Sequence, residues 1–273
     1  MDNNKLLTID VLDSFLRSGE EKDELLNKFV AQIENQGDLT LESGMVGLGW
    51  LVCFLQKHGM LDVCLDEVLW DIDDLAYNLT IQAISANNAD SSHILELITF
   101  YNQRILTVNN QSNQLRSPFI LECLKLLLDK IVERINSINI IDKIQEFCAI
   151  LSKLSFLMAS TIKLKDVEDA FYTATERFLY QIKTSREIRL DQSCVINALI
   201  ALHYYNNPTW NLEINNILSE DNRKENTEII IAKDVWKFLK KGGWKMDDLS
   251  SVLIRPEVKF FIAANFKAIQ KEK

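Results

Sequence analysis

A chain of 273 residues, 47% hydrophobic and 25% charged, has an ordinary globular composition and length enough for a sizeable core. Its net charge of -9 argues against a nucleic-acid or anionic-membrane binder, which needs clustered Lys and Arg. The locally basic Lys267, Lys271 and Lys273 are too few to reverse that balance.

Met1-Asp2-Asn3-Asn4-Lys5 lacks the basic-then-apolar build of a secretory signal, and no apolar run approaches the length of a membrane span. Cys53, Cys64, Cys123, Cys148 and Cys194 are odd in number, widely spaced and without a CxxC pair. That pattern fits buried thiols in a reducing compartment better than a disulfide framework. A cytoplasmic protein without membrane insertion is expected.

In chain order, two short helices are predicted between Thr8 and Gly37. The first follows Thr8 or Asp10 as a cap and stops at Gly19. The second opens on Glu20, Glu21 and Asp23, carries Leu25, Phe29, Val30 and Ile33 at helical spacing, and stops at Gly37. A glycine-rich, almost wholly apolar helix follows from Glu42 to His58, with Ser43 as its candidate N-cap and Gly59 as its stop. Gly44 and Gly47 share a face, and mid-helix glycine costs up to about 1 kcal/mol relative to alanine. Close approach of a neighbouring backbone is the favoured compensation, with a ligand as the alternative.

Leu65 to Ala86 reads as one striped helix, with Leu65, Val68, Leu69, Ile72, Leu75, Ala76 and Leu79 inward and Asp66, Glu67, Asp71, Asp73 and Asp74 on the surface. The alternation of an apolar helix with a striped one then recurs. Ser92 to Leu106, Ile144 to Ser160 and Ser193 to Tyr205 are the apolar members. The stripes Leu121, Leu124, Leu128, Ile131, Val132, Ile135 and Val167, Phe171, Ala174, Phe178, Ile182 mark the others, Pro118 standing in a first helical turn. Inner helices beginning near Gly44, Ser92, Gln145 and Ser193 recur every roughly 50 residues, the length of a helical hairpin with its loops. The segment from Val108 to Gln114 reads as a loop, and 206–226, broken by Pro208, as a long loop or hinge. Helices are predicted from Thr227 to Lys241, ending at Gly242-Gly243, and after Pro256. Nothing reads as a sheet, so the expectation is one all-α domain over 1–273, a ring of hairpins that so short a chain need not close.

The residues Leu41-Glu42-Ser43-Gly44-Met45-Val46-Gly47-Leu48-Gly49-Trp50, then Gln56-Lys57-His58-Gly59, Asp66-Glu67-Val68-Leu69 and Ile72-Asp73, resemble lanthionine synthetase C-like (LanC-like) proteins. The likeness is greatest to the divergent Bacteroidetes-type members found in peptide-maturation loci, and it covers about forty residues. It implies an α/α toroid. It also implies a family chemistry in which a zinc ion in the toroid's mouth helps add cysteine thiols to dehydrated Ser or Thr of a peptide. The family holds that zinc with one Cys and an adjacent Cys-His pair. This chain has no adjacent Cys-His pair, and its later inner helices lack the glycines. No metal ligand is therefore assigned, and no cofactor is expected.

Other candidate chemistry is weighed residue by residue. Cys194 and His203 lie on one predicted helix but on opposite faces, about 13 Å apart along its axis, so they cannot share an ion; Cys148 lies on another helix. His58 at a helix end is read as a partner for free carbonyls, and His93 has no evident partner. Asp71-Ile72-Asp73-Asp74 resembles the magnesium-diphosphate motif of all-α terpenoid enzymes, but a second acidic motif is missing and a solvated outer face is favoured. Trp50, Trp210, Trp236 and Trp244 are candidates for peptide contact. Gly44, Gly47, Gly49 and Trp50 form the candidate binding set. The expected function is a LanC-like protein without the catalytic metal, binding a peptide or protein partner as an accessory of modified-peptide biosynthesis. An all-α enzyme with acids lining the toroid mouth, and a helical interaction scaffold, remain as alternatives.

Overall fold

The computed structural model describes residues 5–16, 22–86, 89–107, 116–159, 164–185, 187–188 and 192–220, and every regular element among them is helical. The stops at Gly19 and the Val108 to Gln114 loop lie outside these residues, as do the helices predicted beyond Thr227 and the tryptophans Trp236 and Trp244. The described residues fall into two compact units, one reaching to Leu128 and the other beginning at Asp129.

The first unit is built on helices α1 (Thr8–Leu16), α2 (Lys22–Gln36), α3 (Met45–Lys57), α4 (Leu65–Val68), α5 (Trp70–Ser85), α6 (Ser91–Leu106) and the opening turns of α7 (Arg116–Ser137). Its centre is α3. An all-round apolar helix must be enclosed, and Trp50, Leu51, Cys53, Phe54 and Leu55 are each fully buried. α1, α5 and α6 pack against it. The helix ends as the sequence predicts. Gly59 takes φ +68°, and its N–H and that of Met60 close on the carbonyls of Gln56 (3.0 Å) and Leu55 (2.8 Å), the paired bonds of a Schellman stop.

Its start differs from the prediction. Gly44, not Ser43, is the N-cap, because the Ser43 hydroxyl donates instead to Asp38 Oδ2 at 2.7 Å. Asp38 organises the whole approach to α3. Its carboxylate also accepts from the Thr40 N–H at 2.9 Å and from Lys5 Nζ at 2.8 Å, and its carbonyl accepts from the Met45 N–H at 2.9 Å. A short polar side chain that bonds the backbone two residues on is an efficient turn-former.

A second departure falls in the predicted Leu65 to Ala86 helix, which is interrupted at Leu69 between α4 and α5. Leu69 is itself fully buried, so the interruption sits in the core, but Val68, expected on the apolar stripe, is 52% exposed.

The second unit holds the rest of α7 with α8 (Ile144–Ala159), α9 (Lys165–Thr184), α10 (Ser193–Tyr205) and α11 (Pro208–Glu220). α8 and α10, both predicted as inner helices, pack against one another, as α3 and α6 do in the first unit. The α9 stripe is buried along its length, with Phe171, Ala174 and Phe178 fully so. Arg177 donates to the Ile138 carbonyl at 3.0 Å, satisfying an acceptor just past the end of α7.

The predicted loop or hinge over 206–226 is corrected at 208–220, where α11 is a regular helix. The residues that suggest a break form its junction with α10. Asn206 adopts φ +65° and closes α10, the Asn207 side chain accepts from the N–H groups of Thr209 (3.0 Å) and Trp210 (3.3 Å), and Pro208 is the first helical residue. Proline is well tolerated there because that N–H has no helical partner anyway. The returning helix brings Trp210 against Phe171, Tyr172 and Tyr205.

Candidate functional site

Gly44, Gly47 and Gly49 are places of close approach. A Cβ on Gly44 would stand 2.5 Å from the Asp38 carbonyl and the Thr40 nitrogen. On Gly47 it would collide with the Leu41 carbonyl oxygen and Thr8 Oγ1, atoms already joined by a 2.8 Å hydrogen bond. On Gly49 it would meet Ile72 Cγ2 of α5 and Phe100 Cε2 of α6, both at 2.8 Å. The compensation for the two helix-interior glycines, Gly47 and Gly49, is thus backbone and side-chain packing, and Gly44 as the N-cap carries no mid-helix cost. Trp50 is fully buried and stacked on Phe54 at 5.4 Å, and Trp210 is buried in the aromatic group of the second unit. None of these candidates offers an open surface.

The acids of α4 and α5 are divided in a way that sequence reading misses. Asp71 and Asp74 are exposed, as expected, but Asp73 is buried, which corrects its placement on the surface. Arg104 of α6, 1% exposed, donates to Asp73 from Nε (3.3 Å) and Nη2 (3.1 Å), and from Nη2 to Asp66 Oδ1 (2.6 Å). Arg116 of α7 adds a 2.9 Å bond to Asp73 Oδ2. In an uninterrupted helix, residues 66 and 73 would lie about 10 Å apart along the axis. The interruption at Leu69 falls between them, and both carboxylates reach one guanidinium nitrogen. Burial works against the Arg104 charge, but the bonds from Asp73 and Asp66 outweigh it and hold the guanidinium above its ordinary value. Two guanidinia face two carboxylates, so the cluster is neutral and ties α4, α5, α6 and α7 together. It leaves Asp73 unavailable to a diphosphate-bound metal.

Beside Arg104, Gln103 is fully buried, and neither of its amide atoms finds a hydrogen-bond partner among the described residues. Of the thiols, Cys53, Cys123 and Cys148 are enclosed, Cys194 is half-buried and Cys64 is exposed, which corrects the expectation of uniformly buried thiols. Burial raises the Cys53 thiol to about 12 against the pull of Arg104, and burial also raises Cys123. Cys148 and Cys194 meet where α8 packs on α10, and their mutual hydrogen bond, then burial, raises Cys148 well above the ordinary thiol value. Among the described residues no group of three or more His, Cys, Asp or Glu is placed to hold a metal ion. His203 is buried on α10, and His58 lies tilted against the Phe54 ring at 4.4 Å. Burial, and then the Lys57 charge, lower the His58 imidazole to about 4.

What lies open is a strip above the arginine cluster. Trp70, 53% exposed, lies under the Arg116 guanidinium at 3.8 Å. Tyr77 of α5 and Phe119 of α7 meet in a tilted contact at 4.9 Å, and both are exposed, Phe119 at 42%. Ile81 and Leu126 extend the strip along the same two helices. Trp70, omitted from the predicted aromatic set, stands just after the interruption at Leu69, off the apolar stripe and on the face of the exposed Asp74. No helix among the described residues is long and apolar enough to cross a membrane. No family model, curated protein or solved structure matches this chain.

Proposed function

We infer that this chain is a LanC-like helical protein that does not carry out the family's thioether-forming reaction and serves instead as a peptide-binding accessory of modified-peptide biosynthesis. The α/α toroid belongs to this proposal. The resemblance from Leu41 to Asp73 supports the setting, and the lack of an adjacent Cys-His pair supports the non-catalytic role. The observation that carries the binding role is the contrast between interior and surface in the first unit. Its glycines and Asp73 are engaged in packing and ion pairing, whereas an aromatic strip from Trp70 to Phe119 is held in place and left open. Large patches of exposed aromatic surface on soluble proteins mark partner sites.

Metal quantification on purified protein from zinc-supplemented cells tests the reading. Zinc well below one equivalent is expected, and stoichiometric zinc would overturn the non-catalytic assignment. Retention of a precursor peptide encoded beside this gene would support the setting directly.

A further inference from the structure

On α5, Trp70, Asp74, Tyr77 and Ile81 stand at i, i+4, i+7 and i+11 and so share one face. Trp70 and Tyr77 flank Asp74 on that face, and Asp71 and Glu67, one residue after and three residues before Trp70, are exposed as well. None of these three acids forms an ion pair with a described residue. The strip therefore joins an apolar surface to uncompensated negative charge. Its aromatic rings are also pre-positioned, Trp70 by the Arg116 guanidinium and Tyr77 by Phe119. Rigid aromatic anchors lose little entropy on binding, which is why they dominate interface energetics.

The charge selects the occupant. A symmetric pair of copies would lay this patch on itself and set Asp71 and Asp74 against like charges. An anionic membrane or nucleic acid meets the same repulsion. Building on the binding role above, the geometry points to a basic amphipathic peptide segment as the partner of the α5–α7 face. Its apolar side chains lie on the Trp70–Tyr77–Phe119 strip, and its Lys or Arg residues face Glu67, Asp71 and Asp74. Such a segment reads as apolar anchors at i, i+3, i+4 and i+7 with cations on one flank.

The test uses the full chain and two short fluorescein-labelled helical peptides, one of leucine and lysine and one of leucine and glutamate with the same apolar face. Fluorescence anisotropy is expected to show the lysine peptide binding at least about tenfold more tightly than the glutamate peptide, a gap of about 1.4 kcal/mol, which narrows in high salt. Trp70→Ala, and separately the double variant Asp71→Lys with Asp74→Lys, each weaken lysine-peptide binding by about tenfold or more. These positions are exposed, so circular dichroism should stay unchanged and thermal melting should fall only slightly, through loss of the Arg116–Trp70 contact or of acidic charge at the start of α5, and the charge-reversed variant should gain affinity for the glutamate peptide. Equal binding of both peptides, no binding of either, or indifference to both variants would overturn the proposal. So would a concentration-dependent dimer abolished by Trp70→Ala, which would assign the face to a second copy. If the lysine peptide fails while a precursor peptide still binds, this inference falls and the accessory role stands; stoichiometric zinc would sink the accessory role alone.

Discussion

Arg104 of α6 and Asp73 of α5 share two hydrogen bonds, at 3.3 and 3.1 Å, in a part of the first unit closed to solvent. A buried ion pair adds little over apolar residues of the same volume, but removing one partner strands the other charge. Arg104→Met is therefore expected to destabilise the protein by about 3 kcal/mol or more, whereas Arg104→Met combined with Asp73→Leu should recover part of that loss, since no unpaired charge is left in the closed interior although Arg116 and Asp66 lose their ion-pair partners nearer the surface. Urea unfolding of the two variants checks this. A double variant as unstable as the single one would show that shape, not charge, governs the site.

The glycines of α3 differ in what surrounds them. At Gly47 the obstruction is the Leu41 carbonyl, which cannot move without dismantling the Thr8 and Asp38 turn. At Gly49 it is the ends of Ile72 and Phe100, which can shift at some cost. Alanine gains about 1 kcal/mol of helix propensity at either position. Gly47→Ala is nonetheless expected to lose about 2–3 kcal/mol and Gly49→Ala less. Chemical denaturation gives both values, and the reverse order would place the tight contact on α5 and α6.

His58 gives the first unit a pH-dependent weakness. Its imidazole is lowered to about 4 by burial and by Lys57, so the folded state keeps it neutral while the unfolded chain takes up a proton near the ordinary value of about 6.5. The stability tied to the neutral ring is fully present above about pH 6.5 and is lost as pH falls toward 4. His58→Phe should flatten the stability profile across that window. An NMR titration showing His58 protonating near 6.5 in the folded protein would contradict the assignment.

Gln103 is a place where the protein is open to improvement. A buried amide without partners carries a desolvation cost of roughly 1–3 kcal/mol, and methionine fills a similar volume without polar hydrogen-bonding groups of that strength. Gln103→Met is expected to raise the melting temperature. A fall in melting temperature would mean that the amide is hydrogen bonded in solution.

Much of the secondary structure is legible in the sequence because burial of a helix is written into its period. The inward faces of α7 and α9 and the enclosure of α3 and α10 follow from where apolar residues recur. The stops at Gly37 and Gly59 follow from the left-handed backbone that glycine alone adopts freely. Local signals mislead where two meanings share the same residues. Asn206-Asn207-Pro208 looks like the start of a loop, and it is a helix end followed at once by a cap and a first turn.

By itself, the sequence determines the all-α class, the order of most of the helices and the expectation that the glycines of α3 serve close packing, since each rests on spacing within one segment. Tertiary structure decides which of Asp71, Asp73 and Asp74 is buried, because that depends on two arginines 31 and 43 residues away. It likewise decides what fills the space at Gly49, that Cys148 meets Cys194, and that Trp70 lies beneath Arg116. Charge pairing and side-chain shape act across space between segments far apart in the chain, and helical periodicity records only whether a face is buried, not what it is buried against.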